Sequence, residues 1–369
     1  MKVDFDQVRR ILVRGVNWVG DTILTYPTVE SLKRRFPGAM LSVLVPAPLA
    51  DLWKNSPYVD EIIPFEKRGG ARAVFDDLRI GRSLEKKRFD LALILPRSFR
   101  SAFQVYLARV PIRVGYRDEG RSILLTHGIV RKEELLRVHR IFYYHELLRS
   151  LGHQEVPSSP SLPLGEEERG WAEEILKGRG GLEGNPLVGL NPGAAYGSAK
   201  CWSPERFGEL GRRLARARKA KVIIFGSESE RRIGRRILDH LGNDGIDLTG
   251  RTNLLQLAAL LERCAFLLTN DTGTMHVATA VGTPVVAIFG PTDPSATGPW
   301  GEGHVVVKKE VSCSPCFKRV CPTDHRCMEQ ITVEEVEEVI DKGWETFSNR
   351  RISRPEHPLS AHCQSPLVP

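Results

Sequence analysis

No run of apolar residues in this sequence approaches the roughly 20 needed to cross a bilayer as a helix, so a membrane-spanning protein is not expected. An export signal is missing too: Met1-Lys2-Val3-Asp4-Phe5-Asp6-Gln7 carries acids where a signal peptide needs an apolar core. A cytoplasmic protein is the expectation. Cysteine is scarce, seven in 369 residues, and without export a disulfide framework is not expected. Nor is the composition biased enough for disorder, since 41% hydrophobic and 27% charged residues are ordinary for a globular protein. The length exceeds one typical domain and suits two.

What the chain does have is an uneven charge. Residues 1–150 hold 27 Lys and Arg against 17 Asp and Glu, a surplus of ten, while the remainder holds 26 against 28. A basic half fits nucleic acid, an anionic membrane or an anionic substrate, or else a solvated face with no partner.

Strand and helix signals alternate along both halves. Arg10–Arg14, 41–45, 61–65, 90–96 and 113–116 read as strands, and helices are expected near 22–36, 49–55, 73–87, 98–108 and 140–151. Pro27 predicts a kink early in the 22–36 helix. The Pro- and Ser-rich stretch 154–165 reads as a linker. A second series follows, with strands opening at Leu187, Lys221 and Phe266 and helices near 166–177, 205–218, 253–263 and 332–347. This is an α/β pattern of doubly wound parallel sheets, divided as an N-terminal domain (1–160) and a C-terminal domain (161–349). Residues 350–369 lack periodicity and are expected to be a disordered tail.

The segment 266–290 carries the sharpest signal. A buried strand, the turn Asn270-Asp271-Thr272-Gly273, a helix from about Thr274 to Val281 and a second strand follow in order. A helix opening from the carboxyl end of a parallel strand offers free N–H groups and a positive dipole end, an anion site suited to phosphate. The alternative reading of Asp271 is a plain N-cap with nothing bound. Asp21, where the first strand hands over to a helix, has two readings of its own: a helix cap, or a general base taking a proton from an attacking hydroxyl. Lys200 ends a long glycine-rich loop, where a cation can neutralise a departing diphosphate. Glu230 could bind a ribose diol or serve as a first-turn acid.

Together, Asn17-Trp18-Val19-Gly20-Asp21, Asn191-Pro192-Gly193-Ala194, Ala199-Lys200-x-Trp202 and Asp271-Thr272-Gly273-x-x-His276 with Gly282-Thr283-Pro284 resemble the signatures of the bacterial ADP-heptose:lipopolysaccharide heptosyltransferases. The resemblance covers about residues 8–345. Ala195 and Tyr196 stand where heptosyltransferase I has paired threonines, which favours the heptosyltransferase II pattern. It implies the GT-B fold, two Rossmann-like domains facing a central cleft. It implies transfer of L-glycero-D-manno-heptose, with inversion, from ADP-heptose to the first heptose of heptosyl-Kdo2-lipid A, at the inner face of the cytoplasmic membrane. Asp21 matches the family's catalytic base, and Lys200 would stabilise the leaving ADP. Glu230, Asp271, Thr272, Gly273, Thr274 and His276 would bind the donor. Arg14, Asn17, Trp18 and Arg97 are candidates for the acceptor side, although Trp18 could equally be core.

The resemblance requires no cofactor, and no catalytic metal is expected. Cys313, Cys316, Cys321 and Cys327 nevertheless have metal-ligand types at plausible spacing, so a structural zinc is one reading and a loop of reduced thiols the other. A monomer without nucleic-acid partners is expected. The rival readings are another GT-B enzyme (heptosyltransferase I or III, or a nucleotide-sugar epimerase) and a basic zinc-containing nucleic-acid-binding protein.

Overall fold

The computed structural model describes residues 7–349 apart from 71, 180, 182 and 183; the tail expected at 350–369 lies outside the described residues. Two six-stranded sheets form, and every strand pair is parallel. The first contains β1 (Arg10–Arg14), β2 (Met40–Pro46), β3 (Glu61–Phe65), β4 (Leu91–Ile94), β5 (Ile112–Tyr116) and β6 (His127–Ile129), in the order β3-β2-β1-β4-β5-β6. The second contains β7 (Leu187–Asn191), β8 (Lys221–Ile224), β9 (Gly245–Asp247), β10 (Phe266–Asn270), β11 (Val285–Phe289) and β12 (Val305–Lys308), in the order β12-β11-β10-β7-β8-β9. Counted from their own first strands, the two orders are the same. Strand order reverses between β1 and β4 in one sheet and between β7 and β10 in the other, and a crevice opens at such points beyond the carboxyl ends of the strands.

Central strands are apolar runs because both faces are covered by helices; Ile11, Leu12, Val13, Leu267 and Leu268 are fully buried. The helix expected over 22–36 is two helices, α1 (Val19–Leu24) and α2 (Tyr26–Arg35). The break falls at Thr25, because Pro27 has no N–H to continue the ladder and fits only the start of a new helix. The Thr22 and Thr25 hydroxyls donate to the Trp18 and Thr22 carbonyls, satisfying backbone around the joint. Farther along lie α3 (Arg72–Glu85) and α4 (Phe99–Leu107). The segment 140–151 is an α-helix only to His145 and tightens to a 3-10 helix over Glu146–Leu151.

The halves pack directly, and one apolar cluster draws residues from both. Linker residue Leu162 donates its N–H to the Ala280 carbonyl (3.0 Å), and the Ser158 hydroxyl donates to Glu30 (2.6 Å). The His139 ring meets the Gly298 carbonyl at 3.0 Å and stacks near Trp300. The Val333–Asn349 helix caps the second domain, with Phe347 against Phe266 and Glu334 and Glu337 paired with Arg213. No helix among the described residues is long and apolar enough to cross a membrane.

Candidate active site

Loops after β1, β7 and β10 all end at the two switch points, so the fold gathers them into one place. A cleft of about 790 Å³ opens there. Trp18, Val19 and Gly20 line it from the N-terminal half; Gly193, Glu230, Asn253, Thr272, Gly273 and Thr274 are among its residues from the other half. Trp18 is 52% exposed and therefore belongs to the cleft, not the core.

Two helix N-termini meet across this cleft. α1 packs on the Gly273–Ala280 helix so closely that a Cβ on Gly273 would lie 2.9 Å from Val19 Cβ and 3.1 Å from the Gly20 nitrogen. A Cβ on Gly20 would lie 2.6 Å from the His276 ring. Both glycines are needed for this approach. Their first-turn N–H groups and dipole ends make the gap electropositive, a setting for a diphosphate.

Asp21 sits in the first turn of α1 and makes no cap; the N-cap is Trp18, without a side-chain bond. Its Oδ1 accepts a hydrogen bond from the Tyr144 hydroxyl at 3.0 Å. Burial pushes the Asp21 carboxyl above its usual range, opposed by that hydrogen bond and by the charges of Arg140, Lys200 and Arg97. A carboxylate raised in this way holds its charge at a cost and is a better proton acceptor. Tyr144 and Arg140 lie one turn apart on the Arg140–His145 helix. Neither stands out in the sequence; their i, i+4 spacing on a helix is the only local signal, and nothing in it points to residue 21.

Lys200 and Asp271 form a nearly buried ion pair at 2.5 Å, and the Thr292 hydroxyl donates to the same carboxylate at 2.7 Å. The Asp271 carboxylate thus engages Lys200 and Thr292. Lys200 also lies 4.9 Å from the Tyr196 ring centre. Asn270, the last residue of β10, bridges two chain segments: its amide donates to the Pro192 carbonyl (2.6 Å) and its oxygen accepts from the Trp202 N–H (3.0 Å). This clamp closes both ends of the 192–202 loop that carries Lys200.

Glu230 lines the cleft and accepts from Ser227 through N–H (2.6 Å) and hydroxyl (2.8 Å). Its carboxylate occupies the space beside Gly193, where a Cβ would come within 1.8 Å of Oε1. His276 is 4% exposed, and burial lowers its pKa to about 4, so the ring is neutral at pH 7. Its Nδ1 has no hydrogen-bond partner among the described residues.

Of the residues expected on the acceptor side, Arg97 is exposed and its charge reaches Asp21, and Asn17 presents a buried Oδ1 without a partner among the described residues. Arg14 is placed differently from the expectation. It is 4% exposed, donates to Gln104 Oε1 at 2.9 Å and stacks over Phe65. Gln104 continues to Asp77, which pairs with Arg100 at 2.7 Å. As the last residue of β1, Arg14 points into the layer under α3 and α4, and burial lowers its pKa to about 9.

Of the two readings of the cysteines, the structural zinc finds no support. Among the described residues no group of three or more His, Cys, Asp or Glu is disposed to hold a metal. Cys327 is buried against Gly290 while Cys313 is exposed, and His325 meets the Ala199 carbonyl at 2.7 Å. The segment instead braces the Lys200 loop: Ala199 N–H donates to the Arg319 carbonyl (3.0 Å), and the Tyr196 hydroxyl donates to that of Phe317 (2.8 Å).

Comparison with known proteins gives a consistent answer. The family model described as glycosyltransferase family 9 (heptosyltransferase) matches residues 78–326. Lipopolysaccharide heptosyltransferase 2 of Salmonella typhimurium is 34% identical over 310 residues, covering 81% of this chain and 88% of that protein. The protein of the same name from Escherichia coli K12 is 34% identical over 313 residues, with the same coverage. The solved structure of E. coli ADP-heptose lps heptosyltransferase II aligns with a TM-score of 0.78 at 28% identity, covering 93% of this chain and 100% of that one.

Proposed function

The chain belongs to glycosyltransferase family 9, the heptosyltransferases, and from that premise we propose that it moves L-glycero-D-manno-heptose from ADP-heptose to the first heptose of heptosyl-Kdo2-lipid A. The relatives at 34% identity both carry the heptosyltransferase 2 name, which favours this acceptor over Kdo2-lipid A. The observation that supports the mechanism is that Asp21, next in the chain to the cleft residues Val19 and Gly20, feels the charge of Lys200, whose partner Asp271 directly precedes the Thr272–Thr274 turn lining the same cleft.

The acceptor hydroxyl approaches Asp21, which takes its proton as the oxygen bonds to the anomeric carbon. The bond from that carbon to the diphosphate breaks on the opposite face, so the centre inverts. Negative charge grows on the departing ADP, and the N–H groups of Thr272, Gly273 and Thr274 meet it with the helix dipole behind them. Lys200 exchanges its Asp271 partner for the diphosphate. His276, neutral beside Gly20, is available for one hydrogen bond from the first turn. Glu230 binds the donor ribose. Asn17, Trp18 and Arg97 bind the acceptor, whose anionic groups suit the basic half. Both substrates meet this site in a monomer peripheral to the inner face of the cytoplasmic membrane. Closure of the halves excludes water that would otherwise hydrolyse the donor.

The test is ADP release from ADP-heptose with heptosyl-Kdo2-lipid A or Kdo2-lipid A as acceptor, for wild type and Asp21→Ala. Turnover on the heptosylated acceptor alone, lost in the variant, is the expected result. Turnover on Kdo2-lipid A alone would overturn the acceptor assignment, and turnover that survives Asp21→Ala would overturn the base.

A further inference from the structure

We infer that the outward face of α3, together with the first turn of α4, is a docking surface for an anionic phospholipid bilayer. The inference rests on the proposed function in one respect: an acceptor anchored in a membrane requires the acceptor half to meet that membrane.

Along α3, Phe75, Leu78, Arg79, Arg82 and Lys86 just beyond the helix follow the i, i+3, i+4, i+7, i+11 spacing of one helical stripe. With Ser83 they line a shallow groove of about 370 Å³. Phe75 is 73% exposed and its neighbour Val74 55%. Large apolar side chains so exposed cost hydration free energy unless something covers them. Three cations stand along the same stripe, and none of the helix's acids lines the groove. Asp77 is buried and held by Arg100 and Gln104, Glu85 pairs with Arg109 at 3.2 Å, and Asp76 opens on the adjoining cavity, which Arg79 and Ser83 also line together with Glu66 and Arg68. An apolar strip flanked by cations, on the half with a surplus of ten positive charges, is complementary to acyl chains beneath anionic headgroups.

The surface also stands in the right place. Arg100 donates to the Arg68 carbonyl at 2.7 Å, which ties the approach to α3 to the first turn of α4. There Phe99 is 43% exposed, two residues from Arg97, whose charge reaches Asp21. A bilayer on this face would lie beside the acceptor entrance.

Sedimentation of the full chain with vesicles of phosphatidylglycerol and phosphatidylcholine, against phosphatidylcholine alone, tests the surface without any substrate. Wild type should bind the anionic vesicles, and more weakly as salt rises. The triple change Arg79→Glu, Arg82→Glu, Lys86→Glu should weaken binding at least tenfold. Phe75→Ser should weaken it in low and high salt alike. Both variants should keep the wild-type rate on acceptor dispersed in detergent, which shows that they are folded. Wild type that ignores anionic vesicles, or variants that bind them as well as wild type, would overturn the inference. Vesicle binding that follows this pattern while no acceptor is turned over would leave the surface standing and count against the transferase reading alone.

Discussion

Replacing Tyr144 by Phe removes one atom from the site and leaves the ring that packs beside it. That atom donates the 3.0 Å hydrogen bond to Asp21. A hydrogen bond to a charged group is worth about 1.5–3 kcal/mol. It favours the carboxylate over the acid, as do Arg140 on the same helix, Arg97 beyond β4 and Lys200 from the other half, all against the burial that raises the pKa. Without the hydroxyl, burial is less opposed and the carboxyl holds its proton to higher pH. Since about 1.36 kcal/mol is tenfold in rate, kcat/KM on the acid side should fall by roughly ten- to a hundredfold. The alkaline plateau should hold, because a carboxylate of higher pKa is at least as strong a base. The assay is ADP release across a pH series, and the expected signature is an acid limb displaced to higher pH. A loss of equal size at every pH would refute the reasoning, as it would show that Tyr144 only shapes the pocket.

Other consequences can be measured directly. Asp21→Asn should abolish transfer yet raise the melting temperature at pH 7, because the raised carboxyl makes the folded state less stable once it ionises; the gain should vanish below the ordinary carboxylate pKa. His276 works in the opposite direction: its pKa of about 4 in the fold against 6.5 unfolded means stability is lost as pH falls through that window, by about 3 kcal/mol. Urea unfolding at pH 7 and pH 4 should show this loss, and His276→Gln should lessen it. Gly193→Ala should push Glu230 from its seat, raising the donor KM about tenfold or more with less change in kcat. Asn270→Ala removes two buried bonds at about 1 kcal/mol each and should cost roughly 2–3 kcal/mol in chemical unfolding.

How far this could be read in advance depended on where each feature's cause lies. The central strands are continuous apolar runs, and burial on both faces leaves them that character. The edge strands β6, β9 and β12 were not anticipated. They are three or four residues long, and His127-Gly128-Ile129 takes its strand form from pairing with β5, not from its own propensity. The double start of the first helix was half legible: Pro27 announced an interruption, but a kink was expected where the chain makes two helices. In the site, Asp21 and Lys200 sit in motifs and were visible. Tyr144 and Thr292 were not, because each meets its partner from a distant part of the chain. Arg14 is a related case: its place beside Asn17 and Trp18 suggests the acceptor side, and only the buried Gln104–Asp77–Arg100 network shows that its guanidinium is already engaged.

Because the two sheets share one strand order and open their crevices toward each other, the proposed base comes from one and the proposed leaving-group site from the other. The stretch between them therefore acts as a tether. It turns the encounter of base and donor site into an intramolecular event, at an effective concentration set by its length. Its anchorage at Ser158 and Leu162 keeps the free part short. Loop-closure entropy grows only as the logarithm of length, so a few inserted residues beside Gly152 should change the rate modestly. Cutting the chain there would make turnover depend on the concentration of the two pieces.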